Sequence, residues 1–251
     1  MPVKCAFCPK PADSGEHIWD DWICRLPIFK NVKVMVREQL SPEQQVREWL
    51  SVGLGQKKKT VCAKCNNEWM SDVVNLHSKP CMEKLILSDA RVELTPQCIF
   101  STSIFTFLKA VVLDHAQPQK EPFFSMAVRS HFRRTLQLPP NIQIWIGCLS
   151  LHAHHSVCRF KYGFTTPELR HGYYLYTFTW GIGCFVVQLA AFKSKSTRFR
   201  NAITPHIPPH PFWDRFAVPI WPSDGSAVIW PPAEHLGDSL IDKFSDRFTK
   251  D

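Results

Sequence analysis

Cys5-Ala6-Phe7-Cys8 and, with 53 residues between Cys8 and Cys62, Val61-Cys62-Ala63-Lys64-Cys65-Asn66-Asn67-Glu68-Trp69-Met70 decide how the amino-terminal part of this chain is built. A two-residue gap lets both sulfurs of a knuckle reach one ion from a tight turn. Two such knuckles supply the four soft ligands that tetrahedral zinc demands, so Cys5, Cys8, Cys62 and Cys65 are expected to hold a structural zinc. After Cys65 the apolar residues Trp69, Met70, Val73, Val74 and Leu76 recur near helical period, which predicts a helix over about 66–78, ending before Pro80.

A turn-borne knuckle followed by a helix-borne one is the order of a treble clef. Between the knuckles, Glu43–Leu50 reads as a short amphipathic helix with Ser41 as N-cap and Pro42 at its first position. Val52-Gly-Leu-Gly-Gln-Lys-Lys-Lys reads as a flexible basic connector. The other six of the ten cysteines, Cys24, Cys81, Cys98, Cys148, Cys158 and Cys184, are expected to be small buried hydrophobes. Met-Pro-Val-Lys-Cys carries no hydrophobic export region, so free thiols in a cytoplasmic chain are the expectation.

Further out the pattern changes. Ser101–His115 and Ser125–Leu136 have apolar residues at helical spacing. Ile142/Ile144/Ile146, Cys158/Phe160/Tyr162 and Tyr174/Tyr176/Phe178 alternate, and the apolar stretch Ile182–Leu189 follows, which predicts an antiparallel meander of four strands. A Pro/Trp-rich tail over Pro205–Pro232 should run as extended chain with short strands, before a last amphipathic helix over Ala233–Phe248. The fold class is therefore α+β: a zinc module over 1–80, then a domain of two helices, a meander and the tail over 81–251. With 251 residues, 45% apolar, the chain can bury a sizeable core, and its composition excludes collagen, coiled coil and disorder. The longest apolar run, Gly181–Phe192, is short of the ~20 residues of a spanning helix, so no membrane partner is expected.

The net charge is +8, and its excess is central: residues 91–200 hold 13 Lys and Arg against 4 Asp and Glu. Such a stretch attracts polyanions, and Arg129, Arg133 and Arg134, with Arg159, Lys161, Lys193, Lys195, Arg198 and Arg200, are candidates to meet phosphates. Solubility alone is the plain alternative.

Glu16-His17-Ile18-Trp19-Asp20-Asp21-Trp22-Ile23 lies between the knuckles, and the second knuckle continues as Cys65-Asn66-Asn67. CxxC, acid-His-Ile and CxxC-Asn together, over residues 5 to 75, resemble the HNH endonuclease family with its ββα-metal fold, in its bacterial and phage-type branch. The resemblance implies a nuclease that hydrolyses phosphodiester bonds, of DNA first, with a divalent metal. It makes His17 the general base and gives Glu16 and Asn66 a catalytic Mg²⁺ or Mn²⁺, separate from the structural zinc. Lys57, Lys58 and Lys59, beside such a site, would grip a nucleic-acid backbone. The chain departs from the family in having Glu rather than Asp before the histidine and Gln56 as the sole amide where an orienting Asn stands. It also has Asp20-Asp21 where a proline is common, as an extra acid at the metal or a helix cap.

Each residue also has a structural reading. His17 can be a satisfied histidine at a helix start, and Asn66 and Asn67 can cap a helix. Trp19, Trp22 and Trp69 can be mini-core, and His152, His154 and His155 an exposed turn. The rival function is a catalytically degenerate zinc-binding adaptor for nucleic acid or protein.

Overall fold

The computed structural model describes residues 3–30, 33–39, 45, 47–52, 54–116, 122–150, 155–164, 173–194, 207 and 209–248. The fold is α+β. Its centre is a seven-stranded sheet in the spatial order β10-β6-β9-β8-β7-β2-β3, where β2 is Lys33–Gln39, β3 Arg47–Val52, β6 Ile142–Cys148, β7 His155–Phe164, β8 Tyr173–Ile182, β9 Phe185–Ser194 and β10 Ala217–Trp221. All neighbours are antiparallel except β2, which runs parallel to β7. Two smaller pairs complete the strands: β1 (Ser14–His17) with β4 (Lys57–Val61), and β5 (Val92–Leu94) with β11 (Val228–Trp230).

The period-2 alternation sends side chains to both faces of this sheet, and at β6, β8 and β9 both are covered. Ile142, Ile144 and Ile146 of β6 and Tyr176, Phe178 and Trp180 of β8 join the larger core beneath α4 (Pro96–His115). Trp145, Leu175, Val186 and Ala190 face the other way, into a smaller core with Ile241 and Phe244 of α6 (Asp238–Asp246). Helix α4 is long and apolar enough to cross a bilayer by composition, yet it is a core helix, buried over most of its length. Thr95 caps it by accepting from the Cys98 amide, and Pro96 occupies its first turn.

The meander forms with one rearrangement: β7, β8 and β9 follow in order, but β6 lies beyond β9 instead of beside β7. The helix after the second knuckle runs as Ala63–Cys65 (α2), two π-type turns over Asn66–Met70 and Val73–Ser78, and then Lys79–Leu87 (α3). It thus passes Pro80, which stands in the first turn of α3, where a missing N–H breaks nothing. Met126–Thr135 (α5) matches its prediction, and the last helix is shorter than expected because Leu236 is held by the Cys148 carbonyl.

Three further expectations fail. Residues 47–50 of the proposed insert helix are strand β3, since pairing with β2 gives that stretch a ladder that an isolated helical turn lacks; 41–44 and 46 lie outside the described residues. The basic connector is likewise ordered at Lys57–Lys59, within β4. Cys81 and Cys98 are joined by a disulfide between α3 and α4 rather than standing as separate buried thiols, whereas Cys148 and Cys184 are buried and free.

The first 80 residues share their core with the rest. Trp19 donates from Nε1 to the Gly181 carbonyl and Trp180 donates from Nε1 to that of Ile18, so two buried indoles lock the segment after β1 onto β8. Gly183, in the β8–β9 turn, has φ +59°, and a Cβ there would lie 2.3 Å from the Ile86 carbonyl oxygen at the end of α3. Only glycine fits both demands.

Candidate functional site

The four knuckle sulfurs converge. Cys5, Cys8, Cys62 and Cys65 are buried and their Sγ atoms lie within 4.8 Å of one another, with Cys8 3.6 Å from Cys62 and 3.8 Å from Cys65. A tetrahedral ion with ~2.3 Å bonds to sulfur sets its ligands about 3.8 Å apart. The cluster therefore has the size and donor set to hold a metal ion such as zinc. Backbone amides point at the sulfurs, from Phe7 to Cys5 and from Cys65 to Cys62, and the Ala6 amide donates to the Thr60 carbonyl, tying one knuckle to the other. Asp13 Oδ1 accepts from the Ala63 amide at 2.7 Å and so serves the first turn after the second knuckle.

Arg129, expected to meet phosphates, is instead buried behind the first knuckle: its Nη1 donates to the Ala6 carbonyl at 2.8 Å and to His115 Nδ1 at 3.0 Å. Because the Lys4 carbonyl can only accept from His115 Nε2, that nitrogen carries the hydrogen and Nδ1 is free to accept from the arginine. Burial also pushes the His115 pKa down, in keeping with a neutral ring. A basic residue read from charge alone as a surface group is thus a support of the sulfur cluster. Arg133 and Arg134 stay on α5 and do not border the cleft described next; Arg159, Lys161, Lys195, Arg198 and Arg200 and the histidines 152, 154 and 155 have no described side chains.

Beside the cluster, β1 and the helix after Cys65 flank an open polar cleft of about 950 Å³, bordered by Glu16, His17, Asp20, Lys57 and Asn66. The register places His17 opposite Lys57 and Glu16 opposite Lys58, so His17 and Lys57 share one face of the strand pair. Lys58 and Lys59 do not border the cleft. The imidazole of His17 is half-buried, with no hydrogen bond among the described residues; burial first, and the Lys57 ammonium second, lower its pKa. Its neutral, proton-accepting form is therefore favoured. Asn66 Nδ2 donates to Ser14 Oγ at 2.9 Å and to the Gly15 carbonyl, which leaves the amide oxygen as its unengaged acceptor. Gln56 does not orient His17: its Oε1 is buried without a hydrogen-bond partner, and its main chain serves Ile18 instead.

Glu16 is buried and ion-paired. Its Oε1 lies 2.5 Å from Nζ of Lys109, a lysine of α4 that is 1% exposed. Asp20 takes the same ammonium at 2.8 Å through Oδ1, and burial raises its pKa to about 6. At the start of the short helix α1 (Asp21–Cys24), Asp20 makes no side-chain cap and gives its carboxylate to Lys109 instead. Lys109 was missed in the sequence. Its signal was there, since it is the single lysine in a mostly apolar α4, where an unpaired ammonium would be prohibitive.

Compared with protein-family models, with curated proteins and with solved structures, the chain matches none.

Proposed function

We propose that this protein is a metal-dependent nuclease of HNH type, cutting phosphodiester bonds of DNA, in which the two knuckles, the β1–β4 pair and the helix from Ala63 act as a treble-clef, ββα-metal module. The observation that carries this reading is the convergence of His17, Glu16 and Asn66 on one open polar cleft beside the four-cysteine cluster. His17 would take the proton from the attacking water. Four carboxylates (Glu16, Asp20, Asp21, Glu83) and three basic groups (Arg25, Lys57, Lys79) border the cleft, and Glu16 and Asp20 are already paired with the buried Lys109 behind them. Glu16 and Asn66 would hold Mg²⁺ or Mn²⁺ through oxygen, and that ion, when bound, supplies charge stabilisation at the phosphate oxygens. Lys57 and Lys79 at the rim would position the backbone without reading bases.

Nicking of supercoiled plasmid with Mg²⁺ or Mn²⁺ tests the reading. His17→Ala is expected to slow nicking by at least ~100-fold while zinc content and melting temperature hold. Wild-type nicking by that variant removes His17 from the chemistry. The commitment of Glu16 Oε1 to Lys109 favours a second reading, a catalytically degenerate zinc-binding adaptor. It predicts DNA binding by the wild-type chain with no nicking under either ion.

A further inference from the structure

Lys109 does not itself border the cleft, but from α4, far outside the CxxC segments, it reaches two acids that do, and all three of its ammonium hydrogens are accounted for. Glu16 Oε1 accepts at 2.5 Å, Asp20 Oδ1 at 2.8 Å and the His17 main-chain oxygen at 2.9 Å. Two carboxylates and a carbonyl gathered around one positive centre are also the donor set of a hard divalent cation. Asp20 adds a second sign: it borders the cleft, is 7% exposed, and its Oδ2 is buried with no hydrogen-bond partner. The site thus has more oxygen acceptors than one ammonium can satisfy.

We propose that Lys109 is a positioning residue of the cleft whose ammonium fills, from within the chain, a seat built to hold a divalent cation. It rests on the nuclease reading only for what the cleft is for. With the lysine seated, Glu16 Oε1 and Asp20 Oδ1 are turned inward, the main chain at His17 is fixed through its carbonyl, and the imidazole is held at the cleft wall. Any externally bound ion is left with the Asn66 amide oxygen and whatever Glu16 does not give to the lysine. Without the lysine, two buried acids and a carbonyl stand open to a cation small enough to replace it.

The test is Mn²⁺ titration of the full-length, zinc-loaded chain, followed by the paramagnetic resonance signal of free Mn²⁺, together with melting curves. Lys109→Met is expected to bind Mn²⁺ at least tenfold more tightly than the wild type and to melt at a temperature that climbs with Mn²⁺, while Lys109→Met/Asp20→Asn loses most of that gain. Wild-type Mn²⁺ titration by Lys109→Met overturns the proposal, as does a gain that survives Asp20→Asn undiminished. Should Lys109→Met fail to fold, recovery of the folded chain when Mn²⁺ is present during refolding supports the seat, and no recovery overturns it. Failure of wild-type nicking would sink the nuclease reading and leave this result standing; an unchanged Mn²⁺ titration would do the reverse.

Discussion

The sulfur cluster and the oxygen cluster both adjoin the β1–β4 strand pair, yet they are assembled in different ways. All four sulfurs come from two short knuckles, each closed by its own turn and its own amide-to-sulfur hydrogen bond. The oxygens of Glu16, His17 and Asp20 come from one short segment, but what gathers them is an ammonium 93 residues away in sequence from Glu16. A metal centre can be written in local spacing; a buried charge network needs a partner delivered by the tertiary fold, because neither acid would remain ionised there alone.

The difference can be broken first at the sulfurs. Cys62→Ser is expected to abolish zinc binding and unfold the first segment, the largest effect here, since structural zinc contributes on the order of 10 kcal/mol to small sites. Zinc content by elemental analysis and the melting curve check it, and a variant that keeps its zinc would sink the ligand assignment. Next comes Lys109→Met without added divalent ion, expected to cost about 3–5 kcal/mol in urea unfolding because it strands two buried acids. A cost under ~1 kcal/mol would mean the acids simply take up protons.

Asp114 sharpens the contrast through pH. It is buried at the end of α4, accepts from the Phe124 amide, and is pushed up to about 7 by burial. Its folded form therefore holds a proton that an unfolded carboxyl would already have released, so the contribution is favourable at low pH and declines as pH rises from ~4 towards 7. Asp114→Asn is expected to stabilise the chain by about 4 kcal/mol more at pH 8 than at pH 4. Parallel melting curves for both chains at those two pH values would contradict it. The smallest effect is expected at Asp13→Ala, which removes the acceptor for the Ala63 amide and should cost about 1 kcal/mol while leaving zinc in place.

Much of the fold was legible. Helices α4 and α5 and the strands β6, β8 and β9 followed from their apolar spacing, which brings Phe105 and Phe132 of the helices and Ile144, Phe178 and Leu189 of the strands into one core. The insert was misread because an amphipathic eight-residue stretch suits either structure, and the long-range pairing of β3 with β2 decided it. Arg129 was misread for a related reason. Charge identifies a basic residue, but only packing shows that its guanidinium serves the Ala6 carbonyl instead of solvent.

The sequence by itself determined the four-cysteine constellation, the α+β class and the place of His17 beside an acid, since these depend on residue type and short spacing. The tertiary structure alone decided that Cys81 meets Cys98, that Arg129 and His115 brace the first knuckle, and that Lys109 claims Glu16 and Asp20. Each of those partnerships joins segments whose separation along the chain carries no energetic cue. For Lys109, Glu16, Asp20 and Arg129 the cause is burial: packing α4 against the sheet and the knuckles leaves these groups without water, so that each must find its counterpart within the protein.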